Sequence, residues 1–103
     1  MSGCFAEKGR RVAIKSIRHK GLRQLFELGD SPKVGASMRQ VALDILDHLD
    51  AITSLQDCAG VRRFHRLKGQ RRGEYAMNVT GNYRITFKWD GEQVHDVNLE
   101  DYH

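Results

Sequence analysis

Arg62, Arg63, Arg66, Lys68, Arg71 and Arg72 crowd one short stretch, with Phe64 and His65 among them. If His65 lies on a strand from Arg63 to Leu67, Arg63 and His65 point the same way. Such a cluster could neutralise several phosphates of a polyanion, which would make binding steeply salt-dependent. The plainer reading is a solvated charged loop, since Gly69 and Gly73 loosen its second half. Five histidines stand at positions 19, 48, 65, 95 and 103. His19, His48 and His95 read as structural or exposed. His65 differs by its basic surroundings. His103 differs by following Asp101 and Tyr102 and by its place beside an α-carboxylate, where negative charge favours the imidazolium and suits a general acid. A metal held by His65, Asp101 and His103 has no motif spacing behind it, and the neighbouring cations oppose it, so no metal is expected. Cys4 and Cys58 are far apart without CxxC spacing, which argues against zinc and disulfides and for a reducing cytoplasm.

The 103 residues suit one domain: 40% are apolar and 29% charged, enough for a core and against wholesale disorder. Seventeen Lys and Arg against thirteen Asp and Glu give +4. The charge is uneven. Residues 1–90 hold all seventeen cations against nine acids, a net +8, and Glu92, Asp96, Glu100 and Asp101 make the remainder −4. A basic body favours nucleic acid as partner. No apolar run reaches the length of a membrane span, no signal-peptide core is present, and no phosphate loop, dinucleotide fingerprint or repeat occurs.

Residues 1–12 read as a flexible extension and residues 13–103 as a single domain. Ala13 to Ile17 is β-compatible, although Ile14 and Ile17 do not alternate. Leu22, Leu25 and Phe26 fit a helix over 19–28, stopped by Gly29. Met38, Val41, Ala42, Ile45, Leu46, Leu49 and Ile52 repeat at helical spacing, with Arg39, Gln40, Asp44, Asp47 and His48 opposite, which predicts a second helix packed by one face. Beyond Arg63–Leu67, Tyr75, Met77 and Val79 alternate with polar or small residues. So do Tyr83, Ile85, Phe87 and Trp89, bracketed by the turn signals Gly81-Asn82 and Asp90-Gly91. Val94 to Asp101 returns with Val97 and Leu99 inward. The order β-α-α-β-β-β-β predicts an α+β fold, two N-terminal helices on one face of a mostly antiparallel sheet. Arg84, Thr86 and Lys88 would line the open face, a place for a polyanion.

Four stretches carry a resemblance across about residues 13–103: Ile-Lys-Ser-Ile-Arg-His-Lys-Gly-Leu from Ile14, Phe-His-Arg-Leu-Lys-Gly from Phe64, Gly-Asn-Tyr-Arg-Ile-Thr-Phe from Gly81, and Glu-Asp-Tyr-His from Glu100. The chain resembles the HigB-type toxins of the RelE/ParE superfamily. The resemblance implies a RelE-like fold and metal-independent, cofactor-free cleavage of messenger RNA in the A site of the translating 70S ribosome. It also implies a cognate helix-turn-helix antitoxin, HigA-like, and no membrane partner. The family's reaction residues fall on His65, Lys68, Arg84, Asp101, Tyr102 and His103. Two departures are Arg66, where the family often has Pro, and Tyr83, where Trp is common.

The chemistry expected of such an enzyme is attack of a 2′-OH on the adjacent phosphorus. Arg84, a planar fork, and Lys68, a point charge, would take the phosphate. His65 and His103 would be acid and base in either order. Asp101 would orient His103 or accept the 2′-proton, and Tyr102 would stack on a base, donate to the phosphate, or simply pack. Arg62, Arg63, Arg66, Arg71, Arg72 and Lys88 are the expected RNA contacts. Two other readings stay open: a ParE-like toxin that inhibits DNA gyrase by binding, and a basic RNA- or DNA-binding module without turnover.

Overall fold

The computed structural model describes residues 13–101; residues 1–12, with Cys4, and the pair Tyr102 and His103 lie outside the described residues. The first helix, α1, runs Lys20–Leu28, and its ends explain its length. His19 stands just before it as the cap, with Nδ1 accepting from the Leu22 N–H at 3.1 Å. Gly29 closes it in the left-handed conformation, φ 82°, with its N–H on the Leu25 carbonyl at 2.9 Å. Gly21 has a packing reason: a Cβ there would stand 2.9 Å from both His19 Cε1 and Lys33 Cβ.

The second helix, α2, is Ala36–Ala51. Ala42, Ile45, Leu46 and Leu49 are buried, Met38 and Val41 partly so, while Gln40, Asp44 and Asp47 stay exposed. The stripe packs, with Leu22 and Leu25 of α1, on Met77, Val79, Ile85, Phe87, Val94 and Val97 of the sheet. No helix among the described residues is long and apolar enough to cross a membrane.

Four antiparallel strands in sequence order make the sheet: β1 His65–Arg66, β2 Glu74–Asn78, β3 Tyr83–Trp89 and β4 Val94–Asp101. The strand expected over Arg63–Leu67 shrinks to two residues because Arg62 and Arg63 take positive φ, 47° and 58°, two left-handed residues in a row that turn the chain out of the extended ladder. Arg63 therefore does not share a strand face with His65.

Ala13–Ile17 is likewise not a full strand. It meets β4 through two parallel bridges, Ile14 with Val94 and Ile17 with Val97. The non-alternating spacing is matched on the partner. Asp96, at φ 53°, is an extra residue in β4, where the pairing with β3 shifts between Thr86 and Lys88. The bulge turns Val94 and Val97, three apart, both into the core, and Ile14 and Ile17 follow in step. Ser16 Oγ accepts from the Asp96 N–H at 2.9 Å. The buried Asp50 carboxylate, at the end of α2, accepts from the N–H groups of Ala13 and Ile14 at 3.2 and 3.4 Å.

Candidate active site

Residues directly opposite in an antiparallel pair share a face. One row across the open face is therefore His65, Ala76, Thr86 and Asn98, and the next is Asn78, Arg84 and Glu100. On the other side lie Glu74, Lys88 and His95. Ala76 and Thr86, both fully buried, are the short side chains at the centre. Thr86 belongs to the open face by register yet offers no exposed hydroxyl. His65 and Arg84 stand two strands apart, roughly 10 Å across the sheet.

His65 has an exposed ring whose Nδ1 is 2.8 Å from the Arg63 carbonyl. A carbonyl oxygen only accepts, so Nδ1 carries the hydrogen and Nε2 is the nitrogen that exchanges a proton with anything on this face. Lys68 and Arg72, both exposed, flank the short 3-10 turn Gly69–Arg71.

The charges on this face are interleaved rather than uniformly basic. Arg71 donates to Glu100 from NH1 at 2.8 Å and from NH2 at 2.6 Å, and to Glu74 from Nε at 3.1 Å and NH2 at 2.8 Å. Glu100 also accepts from Arg84 Nε at 3.2 Å. The Arg71 guanidinium holds both carboxyls below the usual glutamate range, against the opposing effect of burial, and its own pKa rises in return. Lys88 lies 3.7 Å from Asp96, each side chain somewhat under half exposed. The acidic end of the sequence thus runs as the strand next to the cationic one.

The other expected contacts are spread around the fold. The Arg62 guanidinium donates to carbonyls at the end of β2, Asn78 at 3.0 Å and Val79 at 2.8 Å. With Arg63, Asn78, Thr80 and Gly81 it lines an open cleft of about 500 Å³. Arg66 pairs with Tyr75, which puts it on the face opposite His65, beside the stacked rings of Phe64 and Tyr75 at 5.6 Å. Asp101 pairs with Tyr83, so its register is one step out of phase with Arg84 and Glu100. Tyr102 and His103 fall outside the described residues.

Glu74, Glu100, Asn78 and Asn98 were not singled out from the sequence, although alternation about Met77, Val97 and Leu99 already turns them to this face. Pairing alone could not have revealed Glu100: carrying the Trp89–Val94 register forward unshifted would set Leu99 opposite Arg84, and the bulge at Asp96 brings Glu100 there instead. Among the described residues, no three His, Cys, Asp or Glu side chains converge as metal ligands do. Cys58 is buried, and burial pushes its thiol up to about 11.

Residues 15–103 match a family of RelE-like toxins of the type II toxin–antitoxin system HigB. The chain is 37% identical over 91 residues to Endoribonuclease HigB of Proteus vulgaris, covering 87% of this chain and 99% of that protein. Its fold is similar to that of the YoeB dimer from Staphylococcus aureus, with a TM-score of 0.61 at 16% identity, over 91% of this chain and 99% of that one.

Proposed function

The chain belongs to the HigB-like toxin family, and on that premise we propose that it is an endoribonuclease that cuts messenger RNA on the translating ribosome. Membership of a type II system implies an antitoxin partner; the proposed one is a HigA-like helix-turn-helix protein, and the proposed setting is the cytoplasm.

The 2′-oxygen attacks the adjacent phosphorus in line as its proton leaves to a base. The bond from phosphorus to the 5′-oxygen breaks, and that oxygen takes a proton from an acid. The products are a 2′,3′-cyclic phosphate and a 5′-OH. His65 exchanges its proton at Nε2, as base or acid, with His103 as its counterpart. Positioned acid–base groups contribute about 10²–10⁴ in rate.

Arg84 and Lys68 stabilise charge on the phosphorane, Arg84 as a fork and Lys68 as a point charge. Asp101 supports His103, and Tyr102 receives a base or the phosphate. Arg63 and Arg72 are the exposed cations left for the RNA backbone. The observation that carries the reading is the 2.8 Å contact of His65 Nδ1 with the Arg63 carbonyl, which leaves Nε2 to exchange the proton on a residue that shares its sheet face, by register, with Arg84.

The test is expression from a tight promoter with messenger 5′ ends mapped by primer extension, beside a His65→Ala, His103→Ala double variant. Discrete cuts within translated codons, absent in the variant, are expected. Growth arrest without cuts would replace this reading with gyrase inhibition or plain binding.

A further inference from the structure

Arg62 and Arg63 are consecutive non-glycine residues in the left-handed region, φ 47° and 58°, a conformation that L side chains rarely adopt. Something must hold it. The Phe64 N–H closes the turn on the Val61 carbonyl at 2.9 Å, and the turn is then pinned at the exit of β2. The Arg62 carbonyl accepts from the Asn78 N–H at 2.7 Å. The Arg62 side chain reaches back to the same place, Nε to the Asn78 carbonyl at 3.0 Å and NH2 to the Val79 carbonyl at 2.8 Å. A single residue thus grips the N–H and carbonyl of Asn78 and the carbonyl of Val79, at and just past the end of β2, by main chain and side chain together. The next carbonyl along, that of Arg63, is the one 2.8 Å from His65 Nδ1.

We propose that Arg62 is a positioning residue for His65: by fastening the left-handed turn to the end of β2, it aims the Arg63 carbonyl at Nδ1 and so keeps Nε2 as the nitrogen that exchanges protons with RNA. Without that carbonyl the ring carries its hydrogen on either nitrogen and rotates. The guanidinium is engaged by two carbonyls, so its role is inside the fold rather than on the RNA backbone. Lysine cannot replace it, because a point charge does not reproduce a planar fork facing two acceptors. The catalytic part of this inference rests on His65 acting in the proposed cleavage; the tautomer part does not.

The test therefore reads both. Full-length protein labelled with ¹⁵N in histidine is compared with Arg62→Lys and Arg62→Gly. Lysine keeps the charge and loses the fork; glycine accepts positive φ and loses the side chain. Two-bond ¹⁵N–¹H correlation spectra assign the hydrogen of His65 at a pH where the ring is neutral. Expected is the Nδ1–H form in the parent and a shift towards a mixture in both variants. In cleavage of messenger on ribosomes, kcat should fall roughly ten- to a hundredfold in both with KM little changed. Variants that keep the Nδ1–H form overturn the proposal, whatever happens to their melting temperature. So does an Arg62→Lys protein of parental kcat, or an Arg62→Gly loss confined to KM, which would make Arg62 an RNA contact. If the parent cuts no RNA but the tautomer shifts as expected, the nuclease reading fails and the positioning of His65 stands. Failure of both variants to fold would make Arg62 a general structural residue and overturn the proposal as well.

Discussion

Replacing Glu100 with Gln should loosen the open face without altering its shape. The Glu100 carboxylate accepts three hydrogen bonds, two from Arg71 at 2.8 and 2.6 Å and one from Arg84 at 3.2 Å. Glutamine keeps one acceptor oxygen and turns an NH2 towards a guanidinium. Hydrogen bonds to charged groups contribute about 1.5–3 kcal/mol each when sheltered. Here Glu100 is 20% exposed and Arg71 36% exposed, so solvent screens part of that. A net loss of about 1–2 kcal/mol follows, which for a domain of this size lowers Tm by roughly 5–15 °C. The pH dependence carries a sign. Arg71 holds the Glu100 carboxyl below its ordinary value, so its stabilisation is full above the unfolded pKa of about 4.3 and disappears as the pH falls through the lower folded value. Calorimetric melts of parent and Glu100→Gln from pH 7 to pH 3 should therefore separate at neutral pH and converge in acid. Equal Tm values at pH 7, or a gap that persists unchanged to pH 3, would refute the reasoning.

Arg84→Ala leaves the Arg71 bonds to Glu74 and Glu100 in place; it should lower cleavage about 10²–10³-fold with circular dichroism unchanged, and a variant that cannot fold would reassign Arg84 to structure. His19→Ala removes the cap on Leu22 and should lower stability by about 1 kcal/mol, while His19→Asn should retain most of it. Burial, with Lys33 nearby, lowers the His19 pKa, so its contribution is complete above about pH 6.5 and fades as the pH drops through the lower folded value; the Asn variant should lack that step in urea titrations. Cys58, fully buried, with its thiol pushed up to about 11, should resist a thiol reagent at pH 8 in a Cys4→Ser background and react at once in denaturing urea; rapid native labelling would contradict its burial.

The helices and the strand order were legible because period and turn chemistry agree there: the α2 stripe from Met38 to Ile52, Gly29 as a stop, Asp90-Gly91 as a turn. Arg84 on the open face followed from simple alternation with Ile85 and Phe87. The bulge was not legible, since nothing in Val94–Asp101 announces that Asp96 will take positive φ; it decides both the burial of Val94 and the arrival of Glu100 beside Arg84. The left-handed pair Arg62–Arg63 was hidden for the same reason. Neither is Gly or Asn, so propensity argues for continuing the strand; the Val61–Phe64 turn bond and the grip on Asn78 and Val79 override it. A cluster of cations in sequence also proved a poor guide to a cluster in space. A two-residue strand sends His65 and Arg66 to opposite faces, Arg62 folds onto its own sheet, and Arg71 is tied to two carboxylates.

The bridges from Ile14 to Val94 and from Ile17 to Val97 join the first and last described elements across eighty residues. Such a contact has the longest loop to close, so it costs more chain entropy than a local pairing. Until β4 exists, Ile14 and Ile17 have no strand to lie against, β3 presents an unpaired edge, and Arg84 has no Glu100 beside it. Local pieces, α1 against α2 and the β2–β3 hairpin, can assemble during synthesis; the open face cannot. The toxin is therefore made in an unfinished form and completes its open face only once β4 has been translated.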